Sequence, residues 1–186
     1  MSKCRLTTPT LIALAAIFAM ASGTVQAQVK PFQVTGGGTA DHIPAFRGDE
    51  STHWAEGHAT ELGEYYCQSV VRLDDFTSQT TGDFSNAAPC VFTAANGDDL
   101  VFNYAGSVEL IPTEEAGVFI AKWTAIFTPV PDLCTGRFAK ITDGSVRMVA
   151  ITDPFEFGEH DVPYTWSGEG WIEFAEPKGP DHGRDD

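Results

Sequence analysis

The chain has 186 residues and a formal net charge of −15 at pH 7, with 11 lysines and arginines against 26 aspartates and glutamates. This acidic balance argues against nucleic acid and against an anionic membrane surface as partners, because the chain has no basic patch that could neutralise phosphates. High solubility is the simplest explanation of the acidity. Cation binding is the alternative.

The first 27 residues predict a secretory signal peptide. Lys3 and Arg5 precede an apolar run at residues 11–21, which is shorter than the roughly 20 residues that span a bilayer. The triplet VQA, ending at Ala27, fits the small-x-small cleavage pattern. We therefore expect cleavage near Ala27 and a secreted or periplasmic protein without membrane insertion. A retained N-terminal anchor is the alternative. The rest of the chain suits one domain, at residues 28–175.

Alternation of apolar and polar residues dominates from there on and predicts half-buried strands. Between residues 118 and 128, for example, Phe119, Trp123 and Phe127 share one face. The predicted strands are residues 32–35, 56–62, 64–73, 90–95, 100–105, 108–111, 118–128, 136–141, 146–152 and 163–174. The absence of any long period-3.6 stripe after Ala27 favours an all-β protein.

Turn signals support an antiparallel topology. Asn96-Gly97 predicts a tight hairpin between two strands, since both residue types tolerate positive φ. Many short strands without intervening helices predict a closed antiparallel β-barrel of about eight strands in a single domain. The Gly-rich residues 36–53 are expected to form a loop. The acidic tail, residues 176–186, is expected to be disordered.

Three cysteines follow the predicted signal peptide: Cys67, Cys90 and Cys134. Export into an oxidising compartment would permit one disulfide and leave one thiol over. The sequence does not select which two would pair. None of the three has a histidine or lysine nearby in sequence that would mark a reactive thiolate.

Several segments together resemble the small secreted bacterial proteins of the allene oxide cyclase-like barrel family, which is related to the dirigent fold. They are GHATELG at residues 57–63, FTAANGDDLVFNYAG at 92–106, CTGRFAKITDGS at 134–145 and YTWSGEGWIEF at 164–174. The resemblance implies an eight-stranded barrel over about residues 31–174. Cys134 replaces the usual glycine before TGRF, and Arg137 is expected to fix the barrel's end through carbonyls or a carboxylate. The resemblance transfers no substrate-handling residue to this chain, and a fold alone does not carry a function.

Candidate metal and catalytic motifs are weak. HWAEGH places His53 and His58 at an odd spacing, which sends them to opposite faces of a strand. Glu56 and His58 share a face, but two ligands do not make a zinc site. GEHD at residues 158–161 and NGDD at 96–99 fit solvated turns better than a calcium loop. No nucleophile elbow is present. We expect no cofactor, no metal and no catalytic residue.

Aromatic side chains that would face the barrel interior are the strongest functional indication. A small barrel either packs its interior or encloses one small ligand. A packed core is the simpler interpretation, and binding of a small apolar molecule is the functional hypothesis. The candidate ligand-binding residues are Tyr104, Phe119, Trp123, Trp166, His58 and Glu61. The alternatives are a cyclase or isomerase that folds a lipid-like substrate, and a dirigent-like interaction protein, such as a homo-oligomer, without catalysis. Cavity volume separates the binding and enzyme hypotheses from the interaction hypothesis, because a cavity below about 300 Å³ would be too small for a typical ligand site.

Overall fold

Residues 27–175, the part of the chain that the computed structural model describes, form nine β-strands and two single-turn 3-10 helices. The strands are β1 (Gln28–Ala40), β2 (Glu50–Ala59), β3 (Gly63–Phe76), β4 (Thr81–Ala94), β5 (Asp99–Pro112), β6 (Val118–Pro129), β7 (Ile141–Thr152), β8 (Phe155–Glu156) and β9 (Val162–Phe174). The 3-10 turns are Pro131–Leu133 and Gly136–Phe138. Within this part of the chain, no helix is long and apolar enough to cross a membrane.

Eight long strands close into an antiparallel barrel, as the sequence predicts. Their order is β5-β4-β3-β2-β1-β9-β7-β6, and β6 pairs with β5 to complete the cylinder. Closure leaves no long strand with an unpaired edge, which removes the main route to edge-to-edge association. The two-residue strand β8 pairs with the first residues of β6.

The core occupies the inside of the barrel because every second side chain of each long strand points inward. Phe32, Phe92 and Phe102 are fully buried, and Phe102 lies with its ring centroid 6.1 Å from Phe32 and 5.5 Å from Phe92. Full burial of one such ring contributes about 1.5–3 kcal/mol. The predicted inward face of β6 is confirmed at Ala121, Trp123, Ala125 and Phe127, all of which are buried.

The predicted Asn96-Gly97 hairpin joins β4 to β5. Gly97 has a φ of +85°, and its N–H donates to the carbonyl of Ala94 at 2.8 Å. The following Asp98 carboxylate accepts from the backbone N–H of Arg137 at 3.2 Å. Arg137 also donates from Nη2 to the carbonyl of Leu62 at 3.0 Å. Arg137 thus links its own 3-10 turn to the β4–β5 hairpin and to the β2–β3 turn at this end of the barrel. These contacts with a carboxylate and a carbonyl agree with its predicted role.

The prediction of a strand at residues 136–141 is wrong over its first part. Residues 136–138 form a 3-10 turn, and β7 begins only at Ile141. Gly136 has a φ of +54°, a backbone conformation outside the β region that L side chains rarely adopt. The Asp98 carboxylate occupies the position of the missing Cβ. Gly136 therefore permits this 3-10 turn, whereas the alternation of the neighbouring residues predicts a strand.

Other boundaries also differ from those predicted. Residues 36–40 belong to β1 and residues 50–53 to β2, so the predicted loop shrinks to residues 41–49. Consecutive glycines show no alternation, but their backbones pair with both β2 and β9. The two strands predicted at residues 100–105 and 108–111 form the single strand β5. The strand passes through Gly106 without a break. Only glycine fits there, because the backbone of Thr124 on β6 lies where a Cβ would be.

Two predicted features fall outside the described residues. The signal peptide at residues 1–27 overlaps the structure only at Ala27, and the acidic tail begins just after the last described residue, Ala175. Both therefore remain predictions.

Candidate functional site: a neutral cavity inside the barrel

A cavity of about 70 Å³ lies inside the barrel, in the half nearer to the β1–β2 loop. Ala40, the last residue of β1, and Thr152, the last residue of β7, lie in its wall. The lining consists of Ala40, His53, Cys67, Ser69, Val71, Phe84, Cys90, Tyr104, Trp123, Ala125, Phe127, Met148, Ala150, Thr152, Tyr164 and Trp166. No aspartate, glutamate, lysine or arginine belongs to this wall.

Aromatic contacts hold the wall in place. Tyr104 stacks on Phe127 with ring centroids 4.6 Å apart, and Phe84 meets Trp123 edge-on at 4.8 Å. Deeper in the barrel, Trp166 stacks on Phe92 at 5.3 Å. Such pairs contribute about 0.5–1.5 kcal/mol beyond the area they bury. The rings therefore give the cavity a fixed, largely apolar shape.

Hydroxyl groups in the wall are already partnered. The Tyr104 hydroxyl donates to Ser69 Oγ at 3.2 Å, and the Tyr164 hydroxyl donates to the Trp54 carbonyl at 3.3 Å. The hydroxyl oxygen of Thr152 accepts from the backbone N–H of Ala121 at 2.9 Å. Each of these hydroxyl groups thus has at least one hydrogen-bond partner without a ligand.

Three buried polar atoms in the same wall have no hydrogen-bond partner: His53 Nε2, Trp123 Nε1 and Trp166 Nε1. The Trp166 nitrogen lies over Gly36 beside the Tyr65 hydroxyl, which itself donates to the Thr35 carbonyl. His53 and Trp123 lie together, with ring centroids 6.1 Å apart and nearly perpendicular planes. An unsatisfied buried polar group typically costs about 1–3 kcal/mol, so this pair is unusual in a packed interior.

The pKa values of the histidine and of two tyrosines in the wall are displaced in the directions that favour their neutral forms. Burial lowers the pKa of His53 to about 4, with a smaller contribution from the charge of His42. Burial also raises the pKa of Tyr104 and of Tyr164 far above the ordinary value for tyrosine. The site is therefore suited to an uncharged molecule, because nothing in it would compensate a buried ion.

Two thiols also face this cavity. Cys67 Sγ and Cys90 Sγ lie 3.1 Å apart across β3 and β4, without a disulfide bond. Burial raises the pKa of Cys67, and its hydrogen bond with Cys90 acts in the same direction. Cys134 lies elsewhere, where its sulfur accepts from the N–H of Val101 at 3.4 Å. Only Cys67 and Cys90 are adjacent among the three predicted candidates.

The structure brings half of the sequence-predicted site residues to the cavity. Tyr104, Trp123 and Trp166 lie in its wall. Phe119 lies outside it, with its ring 5.5 Å from Phe157. His58 is exposed on the outer face of β2, and Glu61 follows that strand and forms an ion pair with Lys30 at 2.9 Å.

His53 is one of the wall residues that the sequence did not predict, and it carries an unpartnered polar atom. The alternation of β2 contained the signal, because Ala55 and Ala59 are buried and share the parity of His53. His58 has the opposite parity and points outward, so the predicted separation of the two histidines onto opposite faces is confirmed. Within residues 27–175, no group of three or more histidine, cysteine, aspartate or glutamate side chains is arranged to hold a metal ion.

Comparison with known proteins adds no relative to this picture. No protein-family model, curated protein or solved structure matches the chain significantly. The resemblance to allene oxide cyclase-like and dirigent-like proteins therefore remains a prediction from the sequence motifs.

Proposed function

We propose that the protein is an exported β-barrel, of the allene oxide cyclase-like kind, that binds a small uncharged organic molecule in its interior. The observation that carries the proposal is the cavity of about 70 Å³, which is walled mainly by aromatic and aliphatic side chains and contains no charged residue. Cavities with apolar walls bind small apolar molecules, and this wall adds the unpartnered polar atoms of His53 and Trp123. Export follows from the predicted signal peptide.

The size of the cavity restricts the ligand. Ordinary ligand pockets measure roughly 300–1,000 Å³, and an engineered cavity of roughly 150 Å³ binds benzene or xenon. A cavity of about 70 Å³ therefore suits a ligand of only a few non-hydrogen atoms. This limit argues against the lipid-like substrate that the cyclase hypothesis requires.

The chemistry of the wall also favours binding over catalysis. General acid–base catalysis works best with a group whose pKa lies near the operating pH. The pKa of His53 falls to about 4, and burial moves the pKa values of Tyr104 and Tyr164 upward, away from neutrality. These groups are weak bases and weak acids at pH 7, but they remain good hydrogen-bonding partners.

Xenon provides a direct test of the cavity. We expect dissolved xenon to bind the wild-type protein and to shift the indole N–H resonance of Trp123 in a ¹H–¹⁵N spectrum. Ala125→Leu, which fills the cavity from the inner face of β6, should abolish the shift. Thr124→Leu, on the outer face of the same strand, is the matched control and should preserve it. Xenon shifts that are identical in both variants would contradict the proposal.

The small volume of the cavity favours a second candidate function, self-association without an internal ligand, because about 70 Å³ lies below the range of ordinary ligand sites. On the outer face of the adjacent strands β5, β6 and β7, Ile111, Ile126 and Ile151 are 39%, 47% and 46% exposed. Ile151 pairs with Lys122 and Ile126 with Arg147, so these isoleucines are separate apolar positions on a mixed surface. Analytical ultracentrifugation tests this candidate: a homo-oligomer that Ile126→Lys and Ile151→Lys convert to monomer would support it, and a wild-type monomer would refute it.

A further inference from the structure

His53 and Trp123 leave an incomplete hydrogen-bonding arrangement in the cavity wall. His53 Nε2 and Trp123 Nε1 are both inaccessible to solvent and unpartnered, and both residues line the cavity. Trp123 is only 6% exposed. The hydroxyls around them are already engaged with Ser69, the Trp54 carbonyl and Ala121. A partner for either atom would therefore come from a molecule inside the cavity, either water or a ligand.

The chemistry of the two rings defines which hydrogen-bonding group the partner molecule needs. The indole nitrogen of Trp123 is only a donor, whereas Nε2 of neutral His53 donates or accepts according to its tautomer. The low pKa of His53 keeps the imidazole uncharged at pH 7. An anion would lack a counter-charge, and a pure hydrocarbon would leave both atoms unsatisfied. A neutral molecule with an accepting oxygen satisfies the indole N–H at least.

We propose that the barrel selects small neutral molecules with an oxygen that accepts a hydrogen bond from Trp123 Nε1 beside His53, while the apolar part contacts Phe84, Phe127 and Met148. The His53 and Trp123 rings meet edge to face with centroids 6.1 Å apart, and both unpartnered nitrogens belong to the wall of the same cavity. This assignment rests on the proposed function, since it requires a ligand in the cavity.

Acetone and isobutene are suitable probes because they have nearly the same shape and differ by a carbonyl oxygen. Dissociation constants for both are measured by NMR titration on wild-type protein, on Trp123→Phe and on His53→Phe. Trp123→Phe keeps an aromatic ring and removes the N–H group. Trp171→Phe, a tryptophan outside the cavity, is the matched control. Comparing two ligands on one variant cancels any general loss of stability.

We expect Trp123→Phe to weaken acetone binding by about two- to tenfold, the usual effect of one hydrogen bond, and to change isobutene binding by less than about twofold. Trp171→Phe should change neither. Parallel changes for the two probes in both cavity variants would overturn the inference, because water would then satisfy the two atoms. Binding of isobutene without acetone would overturn it as well. Failure of xenon, isobutene and acetone alike to bind wild-type protein would instead refute the proposed function itself.

Discussion

We expect acidification to destabilise the barrel through His53. Burial lowers the pKa of this imidazole from 6.5 to about 4 in the folded protein. Between these two values the unfolded chain holds the proton and the folded chain does not. Stability therefore falls as the pH drops through this window, and the contribution of His53 is constant above about pH 6.5.

The size of the effect follows from the shift. Each unit of pKa difference corresponds to about 1.36 kcal/mol, so the full shift amounts to about 3 kcal/mol and the loss at pH 4.5 to about 2.5 kcal/mol. Urea denaturation followed by tryptophan fluorescence gives the free energy of unfolding at pH 7 and at pH 4.5. Wild-type protein should lose about 2.5 kcal/mol more than His53→Phe over this interval.

The comparison with His53→Phe removes the contribution of other groups that titrate in the same range. An equal pH dependence in wild type and variant would refute the reasoning. An NMR titration that places the transition of the His53 ring near pH 6.5 would refute it independently.

Three further predictions concern the stability and redox state of the barrel. Gly117→Ala should lower the free energy of unfolding by about 1–2 kcal/mol, because of the positive φ alone. Gly136→Ala should lower it by more, because only at Gly136 does a carboxylate also fill the Cβ position. Equal losses for the two variants in urea denaturation would contradict this. Oxidised glutathione should accept two hydrogens from Cys67 and Cys90 and leave a disulfide, since their sulfurs are 3.1 Å apart; an unchanged intact mass after refolding with this oxidant would argue against the pairing. Phe102→Ala, at a fully buried position, should cost about 3–5 kcal/mol by thermal or urea unfolding, and a loss below about 1 kcal/mol would contradict the assigned core.

The overall fold was predictable because, in a half-buried strand, the alternation of apolar and polar residues shows which side chains point inward. The alternation over residues 118–128 correctly placed Trp123 and Phe127 inside, and the Asn96-Gly97 turn fixed the direction of its two strands. A closed barrel then follows from many such strands, since closure pairs every long edge.

Features that depend on the backbone were not predictable in the same way. The residues of the 3-10 turn at Gly136 resemble a strand in composition, and the interaction that determines the turn comes from Asp98, 38 positions earlier. The glycines in the second half of β1 carry no side-chain pattern, although they pair on both sides. Local periodicity contains no information about either contact.

The candidate site was predicted only in part for a related reason. Three of the predicted aromatic residues, Tyr104, Trp123 and Trp166, lie in the wall of the cavity. The chemistry of a histidine is the same at His58 and at His53, and only the parity along β2 distinguishes the outward side chain from the inward one. The volume of the cavity depends on how all eight strands pack around it, and no single segment encodes this quantity.

The unpartnered nitrogen of His53 also predicts how His53→Phe changes the free energy of unfolding at pH 7. Natural interiors rarely leave buried polar groups unsatisfied, and local rules are most often broken at functional sites. A position selected for stability alone would carry an apolar ring of similar size. We therefore expect His53→Phe to leave the free energy of unfolding at pH 7 unchanged or higher, while it reduces the preference for acetone over isobutene. A loss of several kcal/mol at pH 7 in urea denaturation would show that the imidazole is a structural element of the core, and the ligand would then no longer be needed to explain it.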